Sequence, residues 1–159
     1  MEYIVYYDSP LGLLVLKSDG EAVTEISFSE SNSRESNSCA LLLECQKQLE
    51  DYFLGNTLEF NLPLNPSGTP FQKKVWAELM KISKGQTITY HELAIRLGDS
   101  KLVRAVGTAN GRNPVAIVIP CHRVIGAGNK LTGYAGGLSR KLWLLDHERK
   151  HQPLAGTLF

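Results

Sequence analysis

The run NPVAIVIPCHRVIG (113–126) sets a thiol, an imidazole and a guanidinium side by side, at Cys121, His122 and Arg123, directly after an apolar segment ending in Pro120. A thiol reacts as its thiolate, and a neighbouring imidazole is a standard means of lowering its pKa and taking its proton. Behind AIVIP the thiol is expected at the end of a buried strand or extended segment, where the surroundings are dry and the backbone is fixed. Successive side chains of an extended chain point to opposite faces, so His122 serves Cys121 only if the backbone bends there or a water bridges the two. Taken alone, these residues fit a reactive site or an ordinary strand end. The other two cysteines look structural. Cys45 shares helical spacing with Leu42, Leu49, Tyr52 and Phe53, and Cys39 lies near the start of the same segment. An odd cysteine count with no CxxC pair points to free thiols in a reducing cytoplasm, not to disulfides or a structural zinc.

The elements that must hold this site fall into an α+β arrangement. YIVYY, LGLLVLKS and AVTEISFSE, separated by turn formers, read as antiparallel strands, and SESNSRESNS (29–38) reads as a loop. CALLLECQKQLEDYFLG is a helix closed by Gly55 at C′. NLPLNPSGTP (61–70), with three prolines and a glycine, reads as a linker, which divides the chain into a sheet-plus-helix domain (1–66) and a mostly helical domain (67–159). Thr69 and Pro70 suit N-cap and N1 of a helix with Phe71, Val75, Leu79 and Ile82 along one face. The N-terminus MEYIVYYDSP lacks a basic region followed by an apolar core, and no apolar run approaches the ~20 residues that span a bilayer.

Charge is divided as well. Residues 1–70 hold 3 Lys/Arg against 11 Asp/Glu, and residues 71–159 hold 14 against 5, so nets of −8 and +9 hide inside an overall +1. A basic half is what a polyanion-binding module needs; two halves that simply attract each other is the other reading. TYHELAIRLGDSKLVRAVGTANG (89–111) has the layout of a helix-turn-helix, although a plain helical hairpin has the same pattern. Thr89 caps the first helix, Gly98-Asp99-Ser100 makes the turn, and Ser100 is the expected cap of the second helix. That second helix is built from small residues, Ala105, Gly107, Thr108 and Ala109, around a single long one, Arg104. Such a surface approaches closely but lacks the row of long donors that major-groove readout uses. It suits a minor groove, with phosphate contacts supplying affinity and little sequence preference.

The segment NPVAIVIPCHRVIG resembles the active-site signature of the O6-alkylguanine-DNA alkyltransferases, also called methylated-DNA–protein cysteine methyltransferases. TPFQKKVW, RAVGTAN, GYAGGLSRK and LLDHE are similar to further segments of that family in the same order, over about residues 69–152. The N-terminal part resembles the family's ribonuclease-H-like domain in layout. The resemblance implies irreversible, stoichiometric transfer of an alkyl group from O6 of a guanine in duplex DNA to Cys121. It further implies that His122 acts as base through a water, that Glu148 holds the imidazole, and that Asn113 ties the turn. Tyr90 would crowd the nucleotide's phosphate and protonate the departing guanine, Arg104 would fill the stack the base leaves, and Val124, Tyr134 and Ala135 would line its pocket. On SRKLWLLDHERK, which carries Glu148, the anchoring residues are expected to be Leu142, Trp143 and Leu145.

The chemistry suits those roles. Displacement at an sp³ carbon favours a soft sulfur nucleophile, guanine leaves better when protonated, and a base must be flipped out of a duplex before a buried thiol can reach it. Zinc ligands found in the N-terminal domain of some relatives have no counterpart, since that half holds two cysteines and no histidine. The expectation is a monomeric, cofactor-free, metal-free cytoplasmic repair protein. Its partner would be double-stranded DNA carrying O6-alkylguanine, with O4-alkylthymine a further candidate, and not a membrane. The rivals are a Cys-His hydrolase or acyltransferase, and a helix-turn-helix regulator or damage sensor that does not react.

Overall fold

The computed structural model describes residues 1–31, 33–57 and 59–151. Three antiparallel strands, β1 (Tyr3–Ser9), β2 (Gly12–Ser18) and β3 (Val23–Phe28), form a sheet in the order β1-β2-β3. Helix α1 (Ala40–Phe53) packs across it and buries Leu42, Cys45, Leu49, Tyr52 and Phe53, the stripe its sequence spacing predicts. Gly55 follows with φ of 81°, the left-handed conformation expected of a C′ glycine. Residues 29–38 form the expected loop apart from one bridge between Asn37 and Ile4, with Asn32 outside the described residues.

The free edge of β3 decides how the rest of the chain is placed. Pro63–Asn65 runs along it: the Val23 amide donates to the Pro63 carbonyl at 2.8 Å and the Asn65 amide to the Val23 carbonyl at 2.9 Å. The proline-rich stretch expected to be a linker is thus partly docked, because an open strand edge leaves amides and carbonyls that must pair. Farther along, the Ile26 amide donates to the Pro114 carbonyl and the Ala116 amide to the Ile26 carbonyl, both at 2.9 Å. The loop leading to Cys121 therefore hangs from the N-terminal sheet.

Helix α2 (Pro70–Leu79) starts with Thr69 and Gln72 in a reciprocal capping box and Pro70 at N1, and it buries Val75, Trp76 and Leu79. A short parallel pair, β4 (Ile88–Thr89) with β5 (Val124–Ile125), then places α3 (Tyr90–Arg96) beside the Cys121 segment. Gly98, at φ of 111°, turns the chain into a 3₁₀ turn (Ser100–Leu102) that runs into α4 (Val103–Gly111). The expected cap at Ser100 is replaced by Asp99, whose carboxylate accepts from the Lys101 amide at 2.9 Å. Asp99 is the last extended residue before the turn, so its side chain and not that of Ser100 faces the open amides. Helices α3 and α4 complete a helix-turn-helix against α2.

The last helix, α5 (Leu138–His151), buries Lys141, Leu144, Leu145, His147 and Glu148. Leu142, expected as an anchor, is 46% exposed. The face is set by the i, i+3, i+4, i+7 spacing that Glu148 imposes, and position 142 lies off it. Hydrophobic side chains from β1 to α5 make one continuous core. Among the described residues no helix is long and apolar enough to cross a membrane.

The start of α3 offers a local test. Thr89 and Glu92 each satisfy the other's backbone amide. Thr89→Ala should lower unfolding free energy by about 1 kcal/mol, read as a reduced urea midpoint at unchanged slope.

Candidate active site

The apolar run before Cys121 is not a strand. After the single rung at Val115 it folds into consecutive tight turns. The Val118 amide reaches back to the Ala116 carbonyl at 2.8 Å around Ile117, whose φ is 74°. This three-residue turn is strained for a β-branched residue. The Cys121 amide closes a second such turn onto the Ile119 carbonyl at 2.8 Å, around Pro120 at φ −82° and ψ 63°. Asn113 holds the loop from inside, its amide donating to the Ile119 carbonyl at 2.8 Å and its side-chain oxygen accepting from the Val115 amide at 3.0 Å. Cys121–Arg123 is then one 3₁₀ turn. The bend that a Cys-His partnership requires is present, and the alternation of an extended chain no longer separates the two residues.

Glu148 gathers the site. Its carboxylate is fully buried and accepts from His122 Nε2 at 2.8 Å, from Arg123 Nε and Nη2 at 2.8 and 3.0 Å, and from Tyr52 Oη at 2.7 Å. Burial alone would push its pKa up, but His122 and Arg123 outweigh burial and hold it well below the usual carboxylate range. An ionised carboxylate only accepts, so Nε2 of His122 donates, and in the neutral imidazole the basic nitrogen is Nδ1. Nδ1 is buried and has no partner among the described residues.

The thiol is 7% exposed. Burial pushes its pKa up, while the Asn113 side chain and the Lys141 ammonium pull the other way. The adjacent imidazole was expected to lower it. In this dry setting desolvation dominates, so the thiol keeps its proton until a base takes it.

Tyr90 opens α3, donates to the Thr132 carbonyl at 3.1 Å and feels both Cys121 and Asn110. Burial raises its pKa, and it stays protonated at neutral pH. Val124 is fully buried, Tyr134 has a buried hydroxyl without a partner among the described residues, and Ala135 is exposed. On α4, Arg104, Ala105 and Thr108 are exposed, and Gly107 backs onto the Tyr90 ring.

Four residues of this arrangement were given no role in the site from sequence, although Arg123 was noted beside the thiol. Arg123 clamps Glu148 and also donates to the Ile82 carbonyl at 2.7 Å. Asn110 reaches from α4 to the Cys121 carbonyl at 3.2 Å. Lys141 is wholly buried and donates to the carbonyls of Val124 and Thr132, each at 2.6 Å, and of Gly133 at 3.3 Å; desolvation brings its amine down to about 8. Its spacing of seven from Glu148 put both on one face, a signal available beforehand. Tyr52 lies on α1, and nothing local in the sequence connects it to the site.

A buried thiol, an imidazole–carboxylate pair and an adjoining helix-turn-helix define a cysteine-nucleophile protein with a nucleic-acid-type scaffold. Residues 70–150 match the DNA binding domain of 6-O-methylguanine DNA methyltransferase, and residues 3–66 match its ribonuclease-like domain. The methylated-DNA–protein-cysteine methyltransferase of Mycolicibacterium paratuberculosis is 44% identical over 157 residues, covering 96% of this chain and 95% of the relative. That of Methanosarcina acetivorans is 43% identical over 152 residues, covering 92% and 97%. The crystal structure of Mycobacterium tuberculosis O6-methylguanine methyltransferase superposes with a TM-score of 0.87 at 40% identity, covering 97% of this chain and 96% of that one. The structure of Mycobacterium tuberculosis OGT in complex with DNA gives 0.86 at 42% identity and 95% coverage of both. The chain belongs to the methylated-DNA–protein-cysteine methyltransferase family.

Because the folded Glu148 releases its proton at lower pH than the unfolded chain does, its stabilisation is complete above the ordinary value of 4.5 and is lost as pH falls through the folded one. Glu148→Gln leaves Arg123 buried without its counter-charge and should lose about 3–5 kcal/mol at pH 7. Urea unfolding should show the gap to the parent protein narrowing at pH 3.

Proposed function

We propose that the protein repairs O6-alkylguanine in duplex DNA by moving the alkyl group irreversibly onto Cys121. The observation that carries this reading is the pinned imidazole: Nε2–H is committed to Glu148, which leaves Nδ1 as the base of a buried thiol. A thiol in this setting needs a base at the moment of reaction, and the family likeness implies that a bridging water connects the two. The sulfur then attacks the alkyl carbon, an S–C bond forms, the C–O bond to guanine breaks, and the thiol proton ends on His122. Tyr90 supplies a proton to the departing guanine and Asn113 holds the nucleophile loop in shape. The thioether has no easy hydrolytic exit, so each chain acts once and requires no cofactor or metal.

Access to the base follows from α4. The exposed Ala105 and Thr108, with Gly107 set back against Tyr90, let the helix approach a minor groove closely, and Arg104 projects into the stack as the base leaves it. The flipped guanine would lie among Val124, Tyr134 and Ala135. In this scheme residues 67–159 carry DNA binding and acceptor chemistry, and residues 1–66 support them. The chain would act as a monomer in the cytoplasm, where its three cysteines remain free thiols.

Mixing with a duplex containing O6-methylguanine should add one methylene equivalent of mass per chain, at Cys121, with no turnover. Ester turnover instead would favour a hydrolase, and binding without a mass change would favour a damage sensor. Cys121→Ala should abolish transfer while keeping DNA binding, as read by mass spectrometry and gel shift. Arg104→Ala should slow repair of duplex by about tenfold or more, the scale of losing a contact that offsets a flipping penalty of a few kcal/mol. The same substitution should leave reaction with free O6-benzylguanine nearly unchanged.

A further inference from the structure

Tyr52 belongs to the N-terminal helix α1, yet its hydroxyl lies 2.7 Å from Glu148 Oε2, the same oxygen that His122 Nε2 meets at 2.8 Å. The residue is fully buried and held from several sides. Phe53 and Phe60 pack on its ring, His147 stands edge-on to it, and His147 Nε2 also bonds the Tyr52 carbonyl. A side chain needed only for packing has no use for an oxygen here. We propose that Tyr52 is a positioning residue for the acceptor relay: its hydroxyl shares one carboxylate oxygen with His122 and so sets how strongly Glu148 draws on the imidazole.

A carboxylate oxygen accepting from several donors, here Tyr52, His122 and Arg123 Nη2, spreads its negative charge among them. Tyr52 is held protonated by burial first and by the Glu148 charge second, so it donates throughout the working range. With the hydroxyl present, Glu148 pulls less on the His122 proton, and the imidazolium formed when the thiol is deprotonated is stabilised less. Removing it should make His122 more basic. The other ionisable groups facing the pair are Arg123 and Cys121 from the 3₁₀ turn, His147 and Lys141 from α5, and Tyr134 from the pocket segment. Arg123 has its own two bonds to Glu148, and none of the others bonds that carboxylate. The hydroxyl therefore acts on an oxygen that only His122 and the Arg123 fork share with it.

This proposal rests on the acceptor reading, and the test separates the two. In the full-length protein, Tyr52→Phe should raise the pKa of His122, followed through its ring resonances by NMR, by about one unit. The acid limb of the pH–rate profile for transfer from O6-benzylguanine should move up by the same amount. Fluorotyrosine placed at position 52 donates more strongly and should move both readouts down, and it serves equally if the phenylalanine variant folds poorly. Unchanged His122 titration in both variants would overturn the role of Tyr52, whatever happens to stability. A shift in the His122 titration, in a protein whose Cys121 never takes up the benzyl group, would support Tyr52 while the acceptor reading failed.

Discussion

The constraint on which this structure depends is the ionised carboxylate of Glu148 in a site without solvent. A buried charge is tolerated only when its lone pairs are met by donors, and removing one partner leaves the others exposed to the same penalty. Glu148 on α5 is met by the Arg123 fork and His122 from one 3₁₀ turn and by Tyr52 from α1, so two separate segments converge on it. Arg123 continues the connection to the carbonyl of Ile82, just beyond α2. The result is one histidine tautomer. Because Nε2 must donate, the basic nitrogen is Nδ1, and that assignment follows from the carboxylate alone.

The second constraint is the shape of the nucleophile loop. Two successive three-residue turns, one around a strained Ile117, bring Cys121 into a helical turn instead of an extended chain. Strain of this kind persists where the surroundings over-determine it. Here they do: Asn113 braces the loop from within, Ile26 of β3 holds its start, and Asn110 of α4 holds the Cys121 carbonyl. The N-terminal part of the chain thus holds the site from two sides, β3 through backbone bonds to the loop and α1 through the Tyr52 hydroxyl on Glu148.

Between these supports the segment 124–133 is drawn in by Lys141. Its ammonium donates to three carbonyls from residues 124–133, and desolvation, not those bonds, brings its amine down to about 8. Arg140 ties the neighbouring segment to the N-terminal part, donating to the Leu11 carbonyl at 2.8 Å with its guanidinium over the Phe28 ring. Tyr90 bonds the 124–133 segment and Asn110 of α4 bonds the Cys121 carbonyl, so the proposed groove-binding surface and the thiol share a frame.

Much of the fold was legible in the sequence, because it depends on local signals. Periodicity marked α1, Thr69 with Pro70 marked the start of α2, and Gly98 with its polar neighbours marked the turn between α3 and α4. The Cys-His dipeptide was visible as candidate chemistry, and the family resemblance supplied the expectation that Glu148 was its third member. Where local reasoning went astray, tertiary demands had intervened. NLPLNPSGTP reads as a linker until an open strand edge claims it, and AIVIP reads as a strand until the loop folds into tight turns that lead into the Cys121–Arg123 3₁₀ turn. The roles of Arg123, Asn110, Lys141 and Tyr52 appeared only in three dimensions, for they are defined by what these residues touch across the fold. Residue types and spacing determined that a thiol, a base and a basic helical pair would coexist in this chain. Only tertiary structure decided which nitrogen is basic, how dry the sulfur is, and that an N-terminal hydroxyl reaches the relay, because desolvation and hydrogen-bond geometry depend on neighbours far away in sequence.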